Sequence, residues 1–354
     1  MKILIQNGRL WDGNAFHNAD LLTHGKTIAK IGPHLTDQAD FVFDATGKTV
    51  MPGLVDLHVH FKGISSDRYG IGAEMSSLPF GVTAANDAGG THGDWQLMDS
   101  FGVKNTIFVG VDIKDNRPEL ELAAKRMEKF GDKVVGLKVY FDTTVSRVWN
   151  ITPLQEICAF ARQRGLNVMV HCAHSPTPMV DIVNTLSAGD ILTHLYHGKE
   201  NPCTANNFEV FSLAAARGVV LDSGFAGTVH TDLGHMRAAF EAGFLPHTIS
   251  TDITCCSAYM RGGRYGMTLC MSLARKMGME EEALFKAVTS TPAKVLGKER
   301  EWGALEVGRC ADVAVLDYTD EGFDLTDEAG NRAQSDRGYR CVLTVADGQV
   351  VYRH

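Results

Sequence analysis

Eight apolar runs alternating with helix-like segments, from Met51 to about residue 302, constrain this 354-residue chain more than any other feature. The runs lie at 54–61, 82–88, 105–112, 134–141, 167–173, 191–196, 219–224 and 247–253. Most are apolar nearly throughout, which suits strands covered on both faces. Helical segments fall near 118–130, 206–217, 232–242, 266–277 and 280–289. Strand and helix in alternation build a parallel sheet, and eight such units over residues 51–302 match the ~250-residue (β/α)8 barrel. Thr152-Pro153-Leu154-Gln155 combines a capping box with an early proline and predicts a helix start.

The flanks read differently. Residues 1–50 are short strands and turns, and the chain turns β again after Gly303, with Asp347-Gly348 as a hairpin turn before a last strand. Neither end is long enough to bury a core alone. The two ends, 1–50 and 303–354, are therefore expected to pair into one small β-sandwich beside the 51–302 barrel. Residues 321–337 are polar and acidic and are expected to form a surface loop.

Charge and composition narrow the partners. A formal net charge of −8 leaves no basic footprint for nucleic acid, and no apolar run approaches the roughly 18 residues of a membrane span. The first apolar run, Ile3-Leu4-Ile5, is too short for a signal peptide, so a cytoplasmic home is expected. The 8 cysteines show no repeated C-x-x-C spacing, which argues for free thiols over a disulfide framework. A small-molecule substrate and a homo-oligomer are the expected partners.

In a barrel of this kind the active site lies at the carboxyl ends of the strands, and polar residues recur there. Pro52-Gly53-Leu54-Val55-Asp56-Leu57-His58-Val59-His60 puts two histidines two apart, where strand alternation gives them one face. Lys138 sits inside Val134–Tyr140, His171 closes 168–171, His194 closes 191–194 and Asp252 closes 249–252. Alone, His171 or His194 reads equally as a packed histidine and Asp252 as a helix cap. Lys138 is harder to place structurally, because an ammonium buried without a partner is costly. Together, the same end of five strands points to a metal site.

These residues, with Thr291-Pro292-Ala293-Lys294-Val295-Leu296-Gly297 and Gly303-x-Leu305-x-x-Gly308-x-x-Ala311-Asp312, resemble the amidohydrolase superfamily. The likeness is to its dihydroorotase-like and deacetylase-type branch, over nearly the whole chain. The resemblance implies a binuclear metallohydrolase: His58, His60 and Asp252 on the inner metal, His171 and His194 on the outer, and an N-carboxylated Lys138, formed with carbon dioxide or bicarbonate, bridging both. It implies two divalent cations, with zinc the best match to imidazole and carboxylate donors, though manganese, iron or nickel also fit. It further implies an activated bridging water, Asp252 as its proton acceptor and cleavage of an amide or ester carbonyl bond. Cyclic-amide hydrolysis is the alternative, and a non-catalytic scaffold a reading of another class.

Five further groups follow from position. Tyr140, two residues beyond Lys138 on the same face, is a candidate oxyanion donor. Lys62 stands where dihydroorotases carry a substrate-binding arginine, which tells against dihydroorotate. His174 and His197 lie just past two ligand positions and could line the pocket, and Arg261 and Arg264 follow Asp252 in a glycine-containing loop. Asn86-Asp87-Ala88-Gly89-Gly90 lacks a phosphate-loop spacing and reads as a tight turn at the site.

Overall fold

The structure is a computed structural model that describes residues 1–65, 68–260 and 264–354. Its central sheet has seven parallel strands in chain order: Leu54–Val59, Val82–Gly90, Lys104–Val111, Val134–Tyr140, Asn167–His171, Ile191–Thr193 and Val220–Leu221. Nearly every residue in them is buried, as their apolar composition requires. The described helices cover the outside, among them Leu120–Phe130, Thr152–Arg162, Ala205–Arg217, Leu233–Glu241, Met267–Lys276 and Glu281–Ala287. The cap of the Thr152 helix differs from the capping box: Thr152 N–H donates to Asn150 Oδ1 at 3.0 Å, and the Thr152 side chain makes no cap.

The eighth run, 247–253, closes the barrel without being a regular strand. It touches both edges through parallel bridges, Asp222 to Thr248 and Val59 to Ile253, and Asp252 N–H donates to His58 O at 2.7 Å. Polar side chains account for the irregularity. Thr248 and Ser250 donate their hydroxyls to Asp222, and Thr251 donates to Asp56. The sixth and seventh strands are also shorter than their apolar runs. His194 (φ 64), Gly224 (φ 51) and Asp252 (φ 48) leave the extended region, so the sheet ends where the candidate ligands begin. Non-glycine residues at positive φ are uncommon and gather at functional sites.

The chain ends pair as strands. Val313–Thr319 runs antiparallel to Thr49–Pro52, within a six-stranded sheet that also holds Arg9–Trp11, Phe16–Asn18, Gly338–Ala346 and Gln349–Arg353. A four-stranded sheet built around Lys2–Gln6 shares a core with it, in which Ile3, Ile5, Leu21 and Ile28 meet Val313, Val315, Leu343 and Val345. Asp347 (φ 48) and Gly348 (φ 70) make the hairpin turn that the sequence signals. The expected loop at 321–337 is instead a hairpin, Phe323–Thr326 with Arg332–Ser335. Leu325 and Ala333 bury its inner face, and Asp327 accepts from Leu233 N–H at 2.7 Å. Two apolar side chains in a polar stretch are too few to register as a strand pattern. No described helix is long and apolar enough to cross a membrane.

Candidate metal centre

Strand alternation and the early strand ends bring His58, His60, Lys138, His171, His194 and Asp252 to one end of the barrel. All six are buried, and Lys138 and His58 are fully enclosed. Asp252 Oδ1 lies 2.8 Å from His60 Nε2 and 3.2 Å from His58 Nε2, and Oδ2 lies 3.9 Å from His194 Nε2. Lys138 Nζ lies 2.9 Å from His58 Nε2 and 3.5 Å from the Met169 sulfur. The rings of His171 and His194 are 4.4 Å apart.

Each of the four imidazoles is held by one nitrogen, which leaves the other as a donor. His58 Nδ1 meets Thr193 Oγ1 at 3.1 Å, and that hydroxyl donates to Asp222 at 2.7 Å. His60 Nδ1 meets Ser65 Oγ at 2.9 Å, and Ser65 donates to Asp87 at 2.6 Å. His194 Nδ1 bonds Gly224 O at 2.7 Å, and His171 Nε2 meets Asp142 Oδ2 at 3.2 Å. Partners of this kind fix the tautomer and aim of a metal-binding histidine. Two groups of donors each lie within 4.8 Å of one another: His58, His194 and Asp252, and His171, His194 and His230. Neutral imidazole with carboxylate is a donor set for a divalent cation, and the residues present fit one.

Burial sets the protonation states. It pushes His58 and His194 well below the usual histidine range, with Lys138 opposing charge on His58 and His171 opposing it on His194. Burial also lowers His171, although Asp142 opposes the shift. His58, His171 and His194 are therefore neutral, as ligation demands. Burial alone would raise Asp252, yet the imidazoles of His58 and His60 outweigh it and hold the carboxyl well below the usual range. Lys138 is drawn down to about 8 by burial. Behind the ring, burial raises Asp56 to about 7 and Asp87 to about 6.

Tyr140 lies beside the cluster, its ring 5.7 Å from that of His171. Its hydroxyl bonds that of Tyr69, whose ring edge meets His60 at 5.4 Å. Burial raises both phenols, which stay protonated donors. Asn86–Gly90 is the end of the second strand and not a turn. Asp87 there orients the His60 loop, and Gly89 (φ 123) leaves room for Tyr140, whose hydroxyl would stand 2.8 Å from a Cβ at that position.

The proposed pocket residues fare unevenly. His197 is buried, accepts from Lys199 N–H at 3.1 Å, and is pushed down to about 3 by burial and by His171 and His230. His174 is part-exposed and pairs with Glu200 at 2.9 Å. Lys62 is exposed to solvent. Arg264 is exposed and lines a groove with Phe80, Phe323 and Tyr339 against the carboxyl-terminal strands, so it belongs to that boundary and not to the histidine cluster. Arg261 lies outside the described residues. Sequence reasoning missed His230, whose ring is 4.4 Å from His194 and 4.9 Å from His171. It comes from an irregular loop with no periodic signal. It also missed Asp142, although Lys138, Tyr140 and Asp142 share the two-residue period that could have found it.

Residues 49–351 match the amidohydrolase family. A deacetylase of Agrobacterium fabrum is 30% identical over 345 residues, spanning 90% of this chain and 83% of that protein. A deacetylase of Enterococcus faecalis is 28% identical and spans 98% of both. Among solved structures, a dihydroorotase superposes with a TM-score of 0.87 at 25% identity, covering 99% of each chain. An adenine deaminase gives 0.85 at 24% identity over the same shares, a likeness of fold.

Proposed function

This chain belongs to the amidohydrolase family, and we propose that it is a deacetylase-type member that hydrolyses the acyl bond of a small N-acyl or O-acyl substrate. As a family member it is a metal-dependent hydrolase acting on carbon–nitrogen bonds. One observation carries the metal assignment. Lys138 is fully buried, and among the described residues no carboxylate lies within 4.0 Å of its amine. A fully buried lysine with the His58 ring at 2.9 Å and no acid in reach is costly to hold as an ammonium. As an N-carboxylate it would join the residues that hold two cations.

In this reading His58, His60 and Asp252 would hold the inner cation and His171 and His194 the outer, with zinc the preferred ion. When bound, the pair supplies a water made acidic near neutral pH and polarises the scissile carbonyl. The chain's own groups do the rest. Asp252, held ionised by His58 and His60, accepts the proton of the attacking water and returns it to the leaving nitrogen or oxygen as the carbonyl–heteroatom bond breaks. The Tyr140 hydroxyl, kept protonated by burial, donates to the developing oxyanion.

The dihydroorotase likeness favours a second reading, hydrolysis of a cyclic amide. Exposed Lys62 offers that substrate no buried cation. Steady-state assays with N-acetyl amino acids, acetylated hydroxy acids, dihydroorotate and hydantoins separate the two. Acyl substrates are expected to turn over, and turnover confined to ring substrates would sink the deacetylase reading.

A further inference from the structure

We propose that His230 is a third imidazole ligand of the outer metal, beside His171 and His194. The inference rests on the binuclear reading above and adds a seventh ligand to the six that reading requires.

Donor geometry is the first ground. One ring nitrogen from each of His171, His194 and His230 lies within 4.8 Å of the others, and the three ring centroids are 4.4, 4.4 and 4.9 Å apart. His171 and His194 each have a single nitrogen to give, because Asp142 and Gly224 O hold the other. His230 Nδ1 is buried and, among the described residues, has no hydrogen-bond partner. Buried polar atoms are nearly always paired. An unpaired ring nitrogen on a histidine whose ring stands against those of His171 and His194 fits a ligand better than packing.

The loop that carries His230 is the second ground. Ala226 (φ 49), Gly227 (φ 64) and Thr228 (φ 81) are three successive left-handed residues, two of them not glycine. Such backbone persists only where its surroundings over-determine it. Here Ala226 N–H donates to Thr251 O at 2.9 Å, which ties the loop to the segment bearing Asp252, and Thr231 Oγ1 donates to Phe225 O at 3.2 Å within the loop. At its start, a Cβ on Gly224 would stand 2.7 Å from His194 Nδ1. One loop thus supplies the carbonyl that orients His194 and the imidazole beside it.

Donor number is the third. Apart from Lys138, which that reading shares between both cations, the inner cation has His58, His60 and Asp252, whereas the outer has only His171 and His194. A third imidazole would give the outer position three donors of its own, as many as the inner one has, all of a type that suits zinc.

The test strips the full-length protein with a chelator and reloads it with cobalt(II) and bicarbonate, following stoichiometry by elemental analysis and the outer ion by its visible spectrum. Wild type is expected to take two ions per chain. His230→Ala should keep one and bind the second about tenfold or more weakly, with the same spectral loss as His171→Ala. His230→Asn should act in the same direction and guards against a folding failure, which circular dichroism checks. Two ions held with unchanged affinity and spectrum in both His230 variants overturn the assignment, and a raised KM alone would make His230 a substrate contact. A wild type that binds no cobalt overturns the binuclear reading itself.

Discussion

Two lysines at opposite ends of the barrel meet opposite fates. Lys104, at the start of the third strand, sits 2.6 Å from both Asp312 and Asp347 and 3.2 Å from the Cys310 sulfur. Burial would depress its amine, but the two carboxylates outweigh burial and raise it above the usual lysine range. Cys310, Asp312 and Asp347 could by themselves hold a cation, and the Lys104 ammonium already fills that role. It clamps the barrel to the carboxyl-terminal strands. Lys138 has the same side chain, deeper burial and imidazole neighbours, so burial wins and its amine falls to about 8. The chemistry of a buried lysine is set by whether an acid reaches it first.

The contrast can be broken most sharply at Lys138. Lys138→Ala should cost several orders of magnitude in kcat/KM and remove at least one bound metal, by elemental analysis, while Lys104→Met leaves both unchanged. Equal losses from the two variants would erase the distinction. Chelation should abolish activity at a preserved fold, and restoration should need bicarbonate together with the cation. Recovery with cation alone in carbon-dioxide-free buffer would contradict carboxylation.

Next in size is Tyr140→Phe, expected to lower kcat about 10²-fold with KM little changed, as for loss of one oxyanion donor. An unchanged kcat removes Tyr140 from the chemistry. At the other end, Lys104→Met leaves two part-buried carboxylates facing each other. A cost of about 2 kcal/mol is expected, below the 3–5 kcal/mol of a fully buried pair because the site is partly open, measured by denaturant unfolding.

The smallest effect is a pH dependence at that clamp. Burial would raise Asp347, but Lys104 holds it down to about 2, below its ordinary 3.8. A depressed carboxyl stabilises the fold fully above its ordinary value and loses that contribution as pH falls through the folded one. Wild-type stability should therefore decline more than that of Asp347→Asn between about pH 4 and pH 2. Parallel curves would show that Asp347 carries no such linkage.

What the sequence determined by itself was periodic. Apolar runs fixed seven strands and their order, and the two-residue period put His58, His60, Lys138 and His171 on one face at the carboxyl ends. His194 and Asp252 were legible because they close such runs. The tertiary structure decided what period cannot encode. Thr248, Ser250 and Thr251 find Asp222 and Asp56 only across the barrel seam, so the eighth run is not a strand. Leu325 and Ala333 bury a hairpin inside a polar stretch. Arg264 faces the carboxyl-terminal strands instead of the site. His230 reaches His171 and His194 from a left-handed loop whose shape depends on contacts with residues far away in the chain. Local alternation is written residue by residue, whereas a ring of donors exists only once distant backbone segments hold one another in place.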